Sequence, residues 1–176
     1  MLPYVNIHTH RPTGSGIELR TAGVHPWDAA TQDAATLGQR LGGAQAVGET
    51  GLDFVRGADR AAQLSALRTQ LRLARERGLP VVLHCVRAFE PLMRELAASE
   101  PRAVIFHGFI GSPEQARQAL AKGYCLSFGE RTFASPKTLA ALRGTITKEQ
   151  AAETMRRVGL DPESRKHVSK YSLGMR

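Results

Sequence analysis

Short apolar runs alternate with segments of helical period along most of this chain. That alternation limits the fold more than any other feature of the sequence. Residues 2–7, 17–24, 44–49, 80–84, 103–107 and 124–128 read as six strands. Between the third and fourth, residues 61–77 place Leu64, Leu67, Leu71 and Ala74 on one helical face. Gly78-Leu79-Pro80 stops that helix. Residues 89–98 turn Phe89, Leu92, Met93 and Leu96 inward. Ser112-Pro113-Glu114 opens another helix, which runs to about Lys122. The serine caps, the proline suits the first turn and the glutamate suits the dipole. Ser135-Pro136 starts a short helix through Leu142.

Strands that alternate with helices imply a parallel sheet with right-handed crossovers. No dinucleotide glycine fingerprint follows the first strand. The regular β-α order therefore predicts an α/β fold of the TIM-barrel type. A closed barrel takes eight strands and about 250 residues. This chain has 176 residues. The expectation is an incomplete, crescent-like barrel of about six of the eight β/α units, with strand edges open at the gap.

The longest apolar runs, residues 80–83 and 103–106, are too short to span a bilayer. The N-terminus has no basic stretch followed by a long apolar one, so no signal peptide is expected. Cys85 and Cys125 form no CxxC pair and read as reduced thiols, which fits a cytoplasmic location. The net charge of +8 suits a polyanionic substrate such as nucleic acid. Arg68, Arg72, Arg75 and Arg77 share one helix, however, and read as its solvated face rather than as a specific basic groove. No membrane partner and no obligate protein partner are expected.

The chemistry lies in where polar ligands fall. His8 and His10 follow the first strand two residues apart, so both imidazoles face one side. Glu49 ends the third strand, His84 the fourth and His107 the fifth. Barrel enzymes place catalytic groups at these carboxyl ends. A lone histidine there is usually a packing residue. Four histidines and a glutamate after successive strands instead predict a metal site with room for two divalent ions. Imidazole ligands favour Zn or Mn over Ca, and Mg is the other candidate. Three further residues are substrate-binding candidates. His25 reads equally as packing beside Pro26 and Trp27, Asp53 as a loop cap, and Arg87 as a solvated helix-start arginine. Gly48, Gly51, Gly108 and Gly111 are expected to allow tight turns beside the site.

Several motifs carry a family resemblance. They are Asn6-Ile7-His8-Thr9-His10, Gly23-Val24-His25-Pro26, Val47-Gly48-Glu49-Thr50-Gly51-Leu52-Asp53, Val82-Leu83-His84-Cys85, Phe106-His107-Gly108-Phe109 and Leu126-Ser127-Phe128-Gly129. Together, over about residues 4–143, the chain resembles the TatD deoxyribonuclease family. The resemblance implies a TIM barrel, two divalent metals and phosphodiester hydrolysis, with DNA as the substrate class. By the same resemblance, His8 and His10 hold one metal, Glu49 bridges both, and His84 and His107 hold the second. Glu49 and His107 are the residues expected to act in catalysis.

The chain departs from that family at one point. Its next strand should end in Glu-Thr-Asp, with the aspartate on a metal. Here Leu139-Ala140-Ala141-Leu142-Arg143 runs directly into Gly144-Thr145-Ile146-Thr147. Glu130 is the nearest substitute carboxylate. From residue 147 onward the sequence resembles instead the helical subdomain of ABC-transporter ATPases, with Ser172 and Gly174 at its signature-motif positions. No GxxxxGK(S/T) loop accompanies it, so ATP hydrolysis is not expected. The domain expectation is a hydrolase segment over 1–143 and a foreign helical tail over 144–176. Three functions follow: a phosphodiesterase, a hydrolase of a small ester, lactone or amide, or a metal-binding chain without catalysis.

Overall fold

The computed structural model of the chain describes residues 5–6, 17–128 and 135–145. The strands are β1 (Val5–Asn6), β2 (Ile17–Glu18), β3 (Thr21–Ala22), β4 (Ala46–Asp53), β5 (Val81–Val86), β6 (Val104–Phe106) and β7 (Cys125–Leu126). The helices are α1 (Leu37–Arg40), α2 (Arg60–Arg77), α3 (Phe89–Ser99), α4 (Pro113–Ala121) and α5 (Pro136–Thr145). Strands β3-β4-β5-β6-β7 pair in chain order and all in parallel. Strands β1 and β2 form a separate parallel pair. Sequential parallel strands joined by helices are the expected α/β architecture.

The core lies between the sheet and its helices. Leu67 and Leu71 of α2, Val81 and Leu83 of β5, Leu92 of α3 and Phe106 of β6 are all essentially inaccessible. Burying each such side chain contributes about 1.5–3 kcal/mol. Helix α2 starts at Asp59, whose carboxylate accepts from Ala61 N and Ala62 N, and closes on a left-handed Gly78. Helix α4 opens with a full capping box: Ser112 accepts from Gln115 N, while the Gln115 side chain accepts from Ser112 N.

Three elements differ from the sequence reading. First, β4 does not end at Glu49 but continues to Asp53, buried along its whole length. Residues Thr50 to Asp53 pair with Leu83 to Val86 after a register shift between Val47 and Thr50. A strand buried on both faces need not alternate, and a charge that faces a site need not end it. Second, β5 likewise runs two residues past His84. Third, residues 17–24 form two short strands, one in each sheet, rather than a single one. Gly51 accordingly sits inside a strand, not in a turn. A Cβ on Gly51 would meet the His84 carbonyl oxygen, and its φ of 140° disfavours other residues. Glycine here lets β4 and β5 approach closely beside the site.

Candidate metal centre

Two buried glutamines of α2 set the frame of the site. Gln63 is 1% exposed and Gln70 is fully buried. Gln70 accepts from Val24 N at 2.7 Å and donates to Val24 O at 3.0 Å. It thereby fixes the backbone directly before His25. Gln63 accepts from Asp53 N at 2.7 Å and donates to Asp53 O at 2.8 Å. Its amide also reaches Ala58 O at 2.7 Å, which ties down the loop after β4. Each glutamine thus satisfies a buried backbone N–H and C=O that no strand partner takes up there.

The side chains held by this frame converge. His25 caps the turn at Pro26–Asp28 and accepts from Trp27 N through Nδ1 at 3.2 Å. Its Nε2 lies 3.3 Å from His84 Nδ1 and 3.8 Å from Glu49 Oε2. His84 Nδ1 lies 3.3 Å from Glu49 Oε1, and His84 Nε2 lies 3.1 Å from Asp53 Oδ2. Asp53 Oδ2 also accepts from the Trp27 indole at 2.7 Å. Its other oxygen accepts from the backbone N–H groups of Val55 and Arg56, both at 2.9 Å. Asp53 is therefore both the loop cap and the orienter of a histidine.

These contacts fix protons. Burial alone would raise the Asp53 pKa. The Trp27 indole, the Val55 and Arg56 amides and His84 outweigh it and hold the carboxyl down at about 2. An ionised Asp53 keeps the His84 proton on Nε2. Burial opposes the charged imidazolium of His84, but its bonds to Glu49 and Asp53 and their charges raise its pKa above the ordinary value. With the Nε2 proton held by Asp53, the charged ring donates from Nδ1 to the Glu49 carboxylate. A divalent cation could take the place of that Nδ1 proton between the imidazole and the carboxylate. Carboxylate–histidine–metal ordering of this kind is how proteins orient metal-bound imidazoles.

His25, Glu49 and His84 form a group that could hold a metal ion, with their ligand atoms within 4.8 Å of one another. Their hydrogen bonding assigns them different parts. Nδ1 of His25 already accepts a backbone N–H, so its neutral form carries the proton on Nε2. That makes His25 a hydrogen-bond donor into the site. Glu49 and His84 could then hold a cation between them.

The same residues line a cleft of about 1040 Å³ at the carboxyl ends of β5 and β6, which Glu49 enters from the middle of β4. His107 follows β6 and lines this cleft, but is not among the three clustered ligands. Arg87 lines it from a left-handed backbone position (φ 49°) just beyond β5. His8, His10 and Glu130 lie outside the described residues. Sequence reasoning missed Gln63, Gln70 and Trp27. The signal for the glutamines was present: both fall on the apolar stripe of α2 with Leu67, Leu71 and Ala74.

A family model described as TatD related DNase matches residues 16–154. The chain belongs to the TatD family. It is 45% identical over 115 residues to a protein from Cronobacter sakazakii named 3'-5' ssDNA/RNA exonuclease TatD, covering 60% of this chain and 43% of that protein. A namesake from Erwinia billingiae is 38% identical over 133 residues, covering 70% of this chain and 49% of that protein. The chain thus spans less than half the length of these TatD relatives. Among solved structures, the TatD homologue YJJV from Escherichia coli superposes with a TM-score of 0.65 at 26% identity, covering 76% of this chain and 55% of that one. A TatD family hydrolase from Entamoeba histolytica gives the same TM-score at 24% identity, covering 76% of this chain and 48% of that one. These TatD neighbours agree with the barrel-type arrangement of parallel strands. Among the described residues no helix is long and apolar enough to cross a membrane.

Proposed function

We propose that the chain is a metal-dependent hydrolase of phosphodiester bonds in single-stranded nucleic acid, working in the cytoplasm with two divalent ions. One observation carries this reading. Glu49 and His84, with Asp53 behind the imidazole, present an anionic and a neutral donor to one point of an open cleft. Imidazole with carboxylate suits Zn or Mn, and Mg less well. His8, His10 and His107 complete the donor set in this proposal, and Glu49 and His107 would be the residues that act in catalysis. Bound divalent ions there would acidify a water and draw charge from the phosphate oxygens.

The chain's own groups supply the rest. His25 donates from Nε2 toward a phosphate oxygen. Asp53 holds the His84 ring at its angle, and Gln63 holds Asp53. Arg87, at the cleft wall, is a second phosphate contact. The names of the Cronobacter and Erwinia relatives support the substrate class. The hydrolase segment is assigned to 1–143 and the tail to 144–176, although the family match runs on to residue 154. The missing strand-end aspartate in residues 139–147 favours a second reading, a metal-binding chain without turnover.

Metal analysis combined with digestion of single-stranded DNA separates these. Two equivalents of metal and Mn- or Zn-dependent cleavage, both lost in Glu49→Ala, are the expected result. Metal uptake without cleavage would establish the second reading. Cleavage that survives Glu49→Ala would overturn the mechanism.

A further inference from the structure

Trp27 is the single tryptophan of the chain. It sits two residues after His25 in the turn at Pro26–Asp28. Its indole N–H is spent on buried Asp53 at 2.7 Å. The His25 ring meets it edge-on, with centroids 4.8 Å apart, and the His84 ring lies 6.0 Å away. Gly57 packs against its base: a Cβ there would lie 2.7 Å from Trp27 Cα and 2.9 Å from Cδ1. The residue is thus anchored at three points.

Even so, Trp27 is 47% exposed and lines the cleft. This inverts the usual economy of a packing tryptophan, which buries its ring and lets its N–H reach water. Here the polar edge is tied down and apolar ring surface is left open beside the candidate metal centre. One cation lies over it: the Arg56 guanidinium is 5.9 Å from the ring centroid. Arg87 and Lys137 line the same cleft, together with Asp28, Glu49 and Glu90. A rigid, exposed aromatic ring in a cleft that also carries cations is what an unpaired nucleic-acid strand requires: a surface for one base and positive charge for its backbone.

We propose that Trp27 is a stacking platform for an unpaired base beside the phosphodiester held at Glu49 and His84. The proposal rests on the phosphodiesterase reading above and deepens it, because the platform selects the form of substrate. A base within a duplex already stacks on its neighbours and does not offer a face to the indole without being unstacked. The platform therefore favours single strands over duplex. Losing it should weaken single-strand binding roughly 5- to 150-fold, the equivalent of about 1–3 kcal/mol.

Because the chain holds one tryptophan, indole emission excited at wavelengths the three tyrosines do not absorb reports on this residue alone. The full chain would be titrated with a phosphorothioate oligothymidylate, which resists cleavage, in the presence of Mn²⁺. Binding would be followed independently by the anisotropy of a fluorescein label on the same strand. Quenching of emission in step with anisotropy, and weaker binding of the corresponding duplex, are expected. Trp27→Leu should raise the anisotropy midpoint by the factor above, and Trp27→Phe should keep most of the affinity. Both variants lose the indole N–H, so the difference between them isolates the ring. Binding without quenching, or Trp27→Leu binding as tightly as Trp27→Phe, overturns the platform and leaves the phosphodiesterase reading standing. No binding of the strand at all overturns both.

Discussion

Replacing Gln63 by leucine tests whether α2 holds the site. Leucine is close to glutamine in size, so the exchange opens little cavity. What it removes is polar. Asp53 N loses its acceptor at 2.7 Å, and Asp53 O and Ala58 O lose their donor at 2.8 and 2.7 Å. Gln63 is 1% and Asp53 3% exposed, so water does not readily replace these bonds. A buried donor left unsatisfied costs about 1–3 kcal/mol, and the two stranded carbonyls add to this. A total of about 2–5 kcal/mol follows, a large share of the roughly 5–15 kcal/mol that holds a domain of this kind together. At about 2–4 °C per kcal/mol, the melting temperature should fall by about 4–20 °C. Circular dichroism during heating measures it, with Gln39→Leu on the exposed side of α1 as the control, expected within about 0.5 kcal/mol of the parent. Gln63→Glu is the sharper arm. It keeps an acceptor for Asp53 N but sets a carboxylate oxygen against two carbonyls, and should cost more than leucine at neutral pH. A Gln63→Leu melting point within about 2 °C of the parent would refute the clamp.

Two further outcomes follow from the same structure. Asp53→Asn should lower metal affinity about 10- to 100-fold, as loss of a group that orients a metal-bound histidine does; calorimetric Mn²⁺ or Zn²⁺ titration would show an unchanged affinity if Asp53 only caps its loop. Glu95 is bonded by Arg68 at 2.7 and 2.8 Å, and that bond, against burial, sets its pKa below the ordinary 4.5. Its contribution is complete above 4.5 and is lost as pH falls through the lower folded value, so the melting-point gap between the parent and Glu95→Gln should close between about pH 6 and pH 3.

What the sequence showed and what it hid divide along a physical line. Local signals were legible. The Ser112-Pro113 cap, the Gly78 stop and the 3.6-residue period of α2 each depend on residues within one turn of one another, and the structure places them as expected. The order of strands was legible too, since parallel strands joined by helices allow few arrangements. Relations across the chain were not. Nothing within reach of Asp53 in sequence says that Trp27 will donate to it from 26 residues away. The extent of β4 was hidden because Thr50, Gly51 and Asp53 after Glu49 look like loop residues until the pairing with β5 accounts for them. For the candidate site, the sequence reading singled out Glu49, His84, His25 and Asp53, which the structure brings together. It gave no hint of which ring nitrogen of His25 and His84 is already engaged, because that depends on Trp27 N and Asp53 meeting them in space. His8 and His10 fall outside the described residues.

The two clamps on α2 make that helix a ruler. Gln63 and Gln70 lie about 10 Å apart along it, a separation set by the helical rise and independent of the loops that bring Val24 and Asp53 to meet it. Surface segments such as residues 30–33 are then free to lengthen or shorten across related chains without moving His25 relative to His84. One residue inserted between the glutamines would swing the second clamp by about 100° around the helix. Variation in this lineage should therefore accumulate as loop length, while the count between those two glutamines stays fixed.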